Sequence, residues 1–148
     1  MENDGRISND RFSFTIGRLK ESRNRLRRLS EENRFRDVDE IWEAYCDVEE
    51  AIAIANFVLG AFDSVGKIRK LTVTLKDDPT SMLEADLRKK FSSIEMNLVA
   101  AQERFSKGMG DEGTELARRA RDDLKIMLIG HARSERNNLR KSKTTKKN

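Results

Sequence analysis

Residues 81–105 read SMLEADLRKKFSSIEMNLVAAQERF. Leu83, Leu87, Phe91, Ile94, Leu98, Ala101 and Phe105 recur at steps of three or four, which places them on one side of an α-helix. The run is bounded at both ends. Asp77-Asp78-Pro79-Thr80-Ser81 precedes it, where proline suits a first helical turn and Ser81 with Glu84 has the spacing of a capping box. Gly108-Met109-Gly110 follows, and glycine readily takes the left-handed conformation that ends helices. A helix with one apolar stripe must bury it against other elements, so the rest of the chain has to supply partners.

Three further amphipathic runs do so. The first covers about residues 8–33, with Phe12, Ile16, Leu19, Leu26 and Leu29 on its stripe and Arg23 interrupting it. The second begins at Asp37 and Glu40, an Asp-x-x-Glu variant of the capping box, and carries Ile41, Tyr45, Val48, Ile52, Ala55, Leu59 and Phe62. Its phase continues through Val65 and Ile68, which predicts a helix reaching about residue 75 with Gly60 and Gly66 as weak points. The fourth starts near Gly113 and holds Leu116, Ala117, Ala120, Leu124, Met127 and Leu128 up to Gly130.

The expected fold is all-α: an antiparallel, up-and-down bundle of about four long amphipathic helices with a flexible basic C-terminal tail. It divides into a helical bundle domain, residues 1–130, and a basic helix extension and disordered tail, residues 131–148. A long hairpin of the second and third helices that dimerises is the competing architecture. Composition agrees with long helices, because 38% of the 148 residues are charged, 36% are apolar, and a single proline breaks the chain. Cys46, the sole cysteine, excludes an intramolecular disulfide. No apolar run approaches the roughly 20 residues that span a bilayer, and Met1-Glu2-Asn3-Asp4 does not open like a signal peptide. The expected setting is cytoplasmic, without a membrane.

Charge is unevenly distributed. Arg18, Lys20, Arg23, Arg25, Arg27 and Arg28 face a single acid, Glu21, whereas Asp37 to Asp63 holds eight acids and no lysine or arginine. Antiparallel helices that place these charges along a shared edge account for both runs. The rival explanation is a metal site, since Glu40, Glu43, Asp47 and Glu50 share roughly one helix face. The all-α nucleotide pyrophosphohydrolases pair such an ExxE with a downstream ExxD, and here only Glu40-x-x-Glu43 is present. No metal and no cofactor are therefore expected.

Catalytic patterns are missing as well. His131 is the only histidine, which excludes a ferritin-like pair of Glu-x-x-His motifs, and its nearest upstream arginine, Arg121, lies too far for the spacing of helical HEPN-type ribonucleases. Cys46 has no histidine nearby, and no phosphate-binding or nucleophile loop occurs. Trp42 and Tyr45 suggest a ligand pocket or a stacking platform for bases, but their helical spacing favours core and boundary positions, as it does for Phe12, Phe57, Phe62, Phe91 and Phe105. The chain is read as non-enzymatic.

The end of the chain carries the functional signal. Arg133, Arg136, Arg140, Lys141, Lys143, Lys146 and Lys147 stand against one acid, Glu135, giving residues 131–148 a net charge of +6 within a total of +4. Such density attracts polyanions by releasing their condensed counterions, and nucleic acid, RNA or DNA, is the expected partner. Arg11, Arg18 and Arg25, at seven-residue intervals on the first helix, are candidates for a second basic face. The alternative is a helical scaffold or regulatory subunit that docks on another protein or forms a homodimer.

Overall fold

The computed structural model describes residues 11–60 and 70–147, with side chains through residue 142. Four helices pack against one another: α1 (Ser13–Glu31), α2 (Val38–Leu59), α3 (Glu84–Ser106) and α4 (Gly110–Lys147). A 3-10 turn, Leu75–Asp77, lies in the connection between α2 and α3. No helix among the described residues is long and apolar enough to cross a membrane.

The apolar periodicity places the core. Leu87, Phe91, Ile94, Leu98, Ala101 and Phe105 of α3 are buried, facing Leu19, Leu26 and Leu29 of α1, Ile41, Val48 and Ile52 of α2, and Ala117, Ala120, Leu124 and Met127 of α4. Burying a leucine, isoleucine or phenylalanine contributes about 1.5–3 kcal/mol, so this set dominates folding. The gap that Arg23 leaves in the α1 stripe is filled by Ser22, whose hydroxyl donates to the Ala44 carbonyl at 2.9 Å, and Thr15 bonds Ala51 likewise at 3.3 Å. Buried hydroxyls are tolerated there because each has a backbone acceptor on α2.

α1 and α4 each contact both α2 and α3, so the ring order is α1, α2, α4, α3. Phe12 meets Phe105 at 5.0 Å between ring centroids, placing the start of α1 beside the end of α3. At the opposite end Phe35, buried in the α1–α2 loop, meets Phe91 edge-on at 5.1 Å. Every neighbouring pair is thus antiparallel, but α2 and α3 run the same way along a diagonal. The up-and-down order is corrected accordingly, since α2 ends and α3 begins at opposite ends of the bundle.

That correction begins at Gly60. Its φ of 68° is the left-handed cap conformation, and its amide donates to the Phe57 carbonyl, ending α2 well before residue 75. The expected continuation through Phe62, Val65, Gly66 and Ile68 lies outside the described residues. The first cap is as expected: Asp37 accepts from the Glu40 amide at 3.3 Å. The second is not, because α3 starts after Leu83 and the Ser81 hydroxyl turns back to Asp78.

The helix extension expected beyond Gly130 is present. α4 runs through that glycine as helix to Lys147, and its 38 residues span about 57 Å at 1.5 Å per residue, against about 35 Å for α3. Gly130 is a point of close approach: a Cβ there would lie 2.9 Å from the backbone of Asp77 and Asp78. Gly130→Ala is therefore expected to destabilise the protein by about 1–3 kcal/mol despite alanine's better helix propensity. Chemical denaturation checks this, and a stabilised variant would contradict it.

Candidate nucleic-acid interface

The overrun of α4 carries Arg133, Arg136, Arg140 and Lys141 against Glu135, and its root is held by the α2–α3 connection. His131 Nδ1 lies 3.0 Å from Asp78 Oδ1, and His131 Nε2 lies 3.2 Å from Glu135. Arg133 donates to the Val73 carbonyl at 2.9 Å. Asp78, only 2% exposed, also accepts from the Thr80 amide at 3.0 Å and the Thr80 hydroxyl at 2.8 Å. Burial pushes the Asp78 carboxyl up, but the bonds from Thr80, Ser134 and His131 outweigh it and hold the group below its ordinary value. With both ring nitrogens facing carboxylates, His131 acts as a clamp between α4 and the connection.

The sign of the pH dependence follows from that depressed value. Asp78 contributes stability that is present above the unfolded carboxylate value and is lost as pH falls through the lower folded one. Asp78→Asn should lower stability near pH 7 by about 1–3 kcal/mol, since it weakens buried charge-assisted bonds. It should also shrink the stability lost below about pH 4. Denaturation curves at both pH values check this, and identical acid profiles for the two proteins would contradict it.

Beyond the clamp the expected helix extension continues as helix to Lys147. A continuous helix is already nucleated by the bundle, and cations at its C-terminal end interact favourably with the helix dipole. Arg133, Arg136, Arg140 and Lys141 are exposed on it. The side chains of Lys143, Lys146 and Lys147 lie outside the described residues.

The second set of arginines does not form a comparable face. Arg25 bonds Glu40 at 2.8 Å and lies 3.8 Å from Asp47, while Arg18 approaches Glu50 at 3.4 Å and Asp47 at 3.9 Å. Arg11 donates to the Val58 carbonyl at 3.0 Å. All three are thus drawn onto α2, and opposite charge joins the two helices. The hydrogen bond to Glu40 raises Arg25 above its ordinary value, whereas burial pushes the Asp47 carboxyl up against the pull of Arg25 and Arg18. The same pairing occupies three carboxylates of the Glu40, Glu43, Asp47 and Glu50 face, and no metal-ligating cluster occurs among the described residues.

A groove opens between α2 and α4 just below the clamp. Trp42, 52% exposed, lies beside Tyr45 with ring centroids 5.5 Å apart and planes tilted by 34°. Leu128, Ile129 and Ala132 of α4 form the facing wall. Tyr45 donates to Glu49 at 3.0 Å, and burial followed by that carboxylate pushes its hydroxyl up to about 12. Of the aromatic residues expected at core and boundary positions, Trp42 is half exposed and Phe57 is exposed. Phe12, Phe91 and Phe105 are buried as expected, and Phe62 lies outside the described residues.

Sequence reasoning missed the Asp78–His131 clamp because its partners lie 53 residues apart. The usable signals were a lone histidine directly after a mid-helix glycine and an Asp-Pro-Thr turn. The chain matches no family model, no curated protein and no solved structure.

Proposed function

We propose that this is a non-enzymatic helical protein that binds nucleic acid electrostatically along the C-terminal extension of α4. One observation carries the reading: Arg136, Arg140 and Lys141 are exposed to solvent on a helix braced at its root, whereas Arg18 and Arg25 are partly buried against the carboxylates of α2. A braced helix presents its cations to phosphates with less ordering entropy to lose than a free tail.

Reversing two of these charges tests the reading. Arg136→Glu with Arg140→Glu should weaken binding to a labelled oligonucleotide at least tenfold at low salt, while Arg18→Gln should leave it within about twofold. Loss in the Arg18→Gln variant with none in the Arg136→Glu, Arg140→Glu variant would place the contact on α1 instead.

A second reading, docking of another protein or a second copy, draws support from α3. Met96, 69% exposed, and Val99, 40% exposed, line a groove with Arg23 and Arg27 of α1. A solution mass above 17.1 kDa that falls in a Met96→Glu variant would support it.

A further inference from the structure

The groove beside Trp42 adds a specific element to the electrostatic reading, on which it rests. Trp42 is the only tryptophan in the chain, and half of its surface faces solvent in a concavity of about 460 Å³. That volume lies within the range of small-ligand sites, roughly 300–1,000 Å³. Its walls are apolar and aromatic, and its rim holds the carboxylates of Asp39 and Glu135 together with Lys125.

Position along α4 ties this groove to the basic extension. Lys125, Ile129, Ala132, Arg136 and Arg140 follow one another at steps of four, three, four and four, so they form one strip along the helix. The apolar wall therefore lies between cations on the same side of α4. Trp42 lines the same groove as the Lys125, Ile129 and Ala132 part of this strip.

We propose that the groove receives an unpaired base of a single-stranded nucleic acid, stacked on Trp42, while the adjoining phosphates lie along Lys125, Arg136 and Arg140. The rim carboxylates favour this division. Asp39 and Glu135 repel phosphate from the groove itself, and they are acceptors for the amino and ring N–H groups of a base edge. A duplex has its bases stacked and paired, so it engages the extension without filling the groove. Stacking on an aromatic side chain is tolerant of sequence, because every base has a π-face.

The lone tryptophan makes the test direct. The full chain is titrated at low salt with a twelve-nucleotide single strand and with a blunt duplex of the same length, following Trp42 emission and affinity. The single strand should shift or quench the emission and bind more tightly than the duplex, which should leave the emission unchanged. Trp42→Ala should lower single-strand affinity about 5- to 100-fold and remove the preference over duplex, with Trp42→Phe keeping part of it. Melting curves of both variants establish that the fold is intact. Binding of both nucleic acids with equal affinity and no change in emission would overturn this inference and leave the electrostatic reading standing. Binding of neither would overturn both. Emission that changes with protein concentration alone would assign the groove to a second copy of the chain and overturn the inference.

Discussion

Deleting residues 136–148 is expected to abolish most nucleic-acid binding while leaving the bundle folded. The cut removes Arg136, Arg140, Lys141, Lys143, Lys146 and Lys147 but keeps His131, Arg133 and Glu135, so the clamp on Asp78 and the contact with Val73 survive. Each phosphate neutralised contributes about −0.7 to the logarithmic salt slope on a single strand, so losing most of six cations should flatten the slope by roughly 3–4 units. Affinity at about 50 mM salt should fall on the order of 100-fold or more. Unfolding free energy should stay within about 0.5 kcal/mol, the range of surface changes. A cut at Gly130 is a different experiment, because it removes both His131 and Arg133, frees the α2–α3 connection from α4, and should destabilise the fold. Unchanged affinity after the shorter deletion would contradict the role of the extension.

Leu98→Ala is expected to destabilise the protein by roughly 2–5 kcal/mol, the usual loss for a buried leucine replaced by alanine. Leu98 is fully buried between Ile94 and Ala101 in the middle of α3, so the void has no route to solvent and closes only if whole helices move. Domains are stable by only about 5–15 kcal/mol, so this single change removes a large fraction of the total. Met96→Ala, two residues away and 69% exposed, should stay within about 0.5 kcal/mol. Urea denaturation of both variants reads the difference, and similar values would show that the buried face of α3 is misassigned.

The contrast between those two residues shows how much of the fold is legible in the chain. Burial along α3 follows the three- and four-residue steps of its leucines and phenylalanines, because a helix fixes which residues share a face without reference to the rest of the molecule. Asp37 could be recognised as a cap for the same local reason. Phe35 could not be assigned to the core, since it sits in a loop and is buried only where Phe91 comes to meet it. Gly130 sits inside α4, and its reason for being glycine, the backbone of Asp77 and Asp78 more than fifty residues earlier, is not visible in any local pattern. Apolar phase carries the second helix past Gly60, and although glycine marks a weak point there, phase alone does not reveal that it adopts the left-handed conformation that ends α2.

For the interface, the density of charge in the extension was plain, but its accessibility was not. Arg18 and Arg25 look as available in sequence as Arg136 and Arg140, and only the packing of α1 on α2 separates them. Helical spacing places Trp42 at a core or boundary position without deciding between them, and its exposure depends on how α2 and α4 part beneath the clamp.

The most direct test of the central claim is the affinity of the intact chain for a short single strand measured across salt concentration. Binding should be clear near 50 mM salt and weaken steeply toward 200 mM, with a logarithmic slope of roughly −3 to −5 set by the cations of the α4 extension. No binding at the lowest salt, or an affinity indifferent to salt, would contradict it.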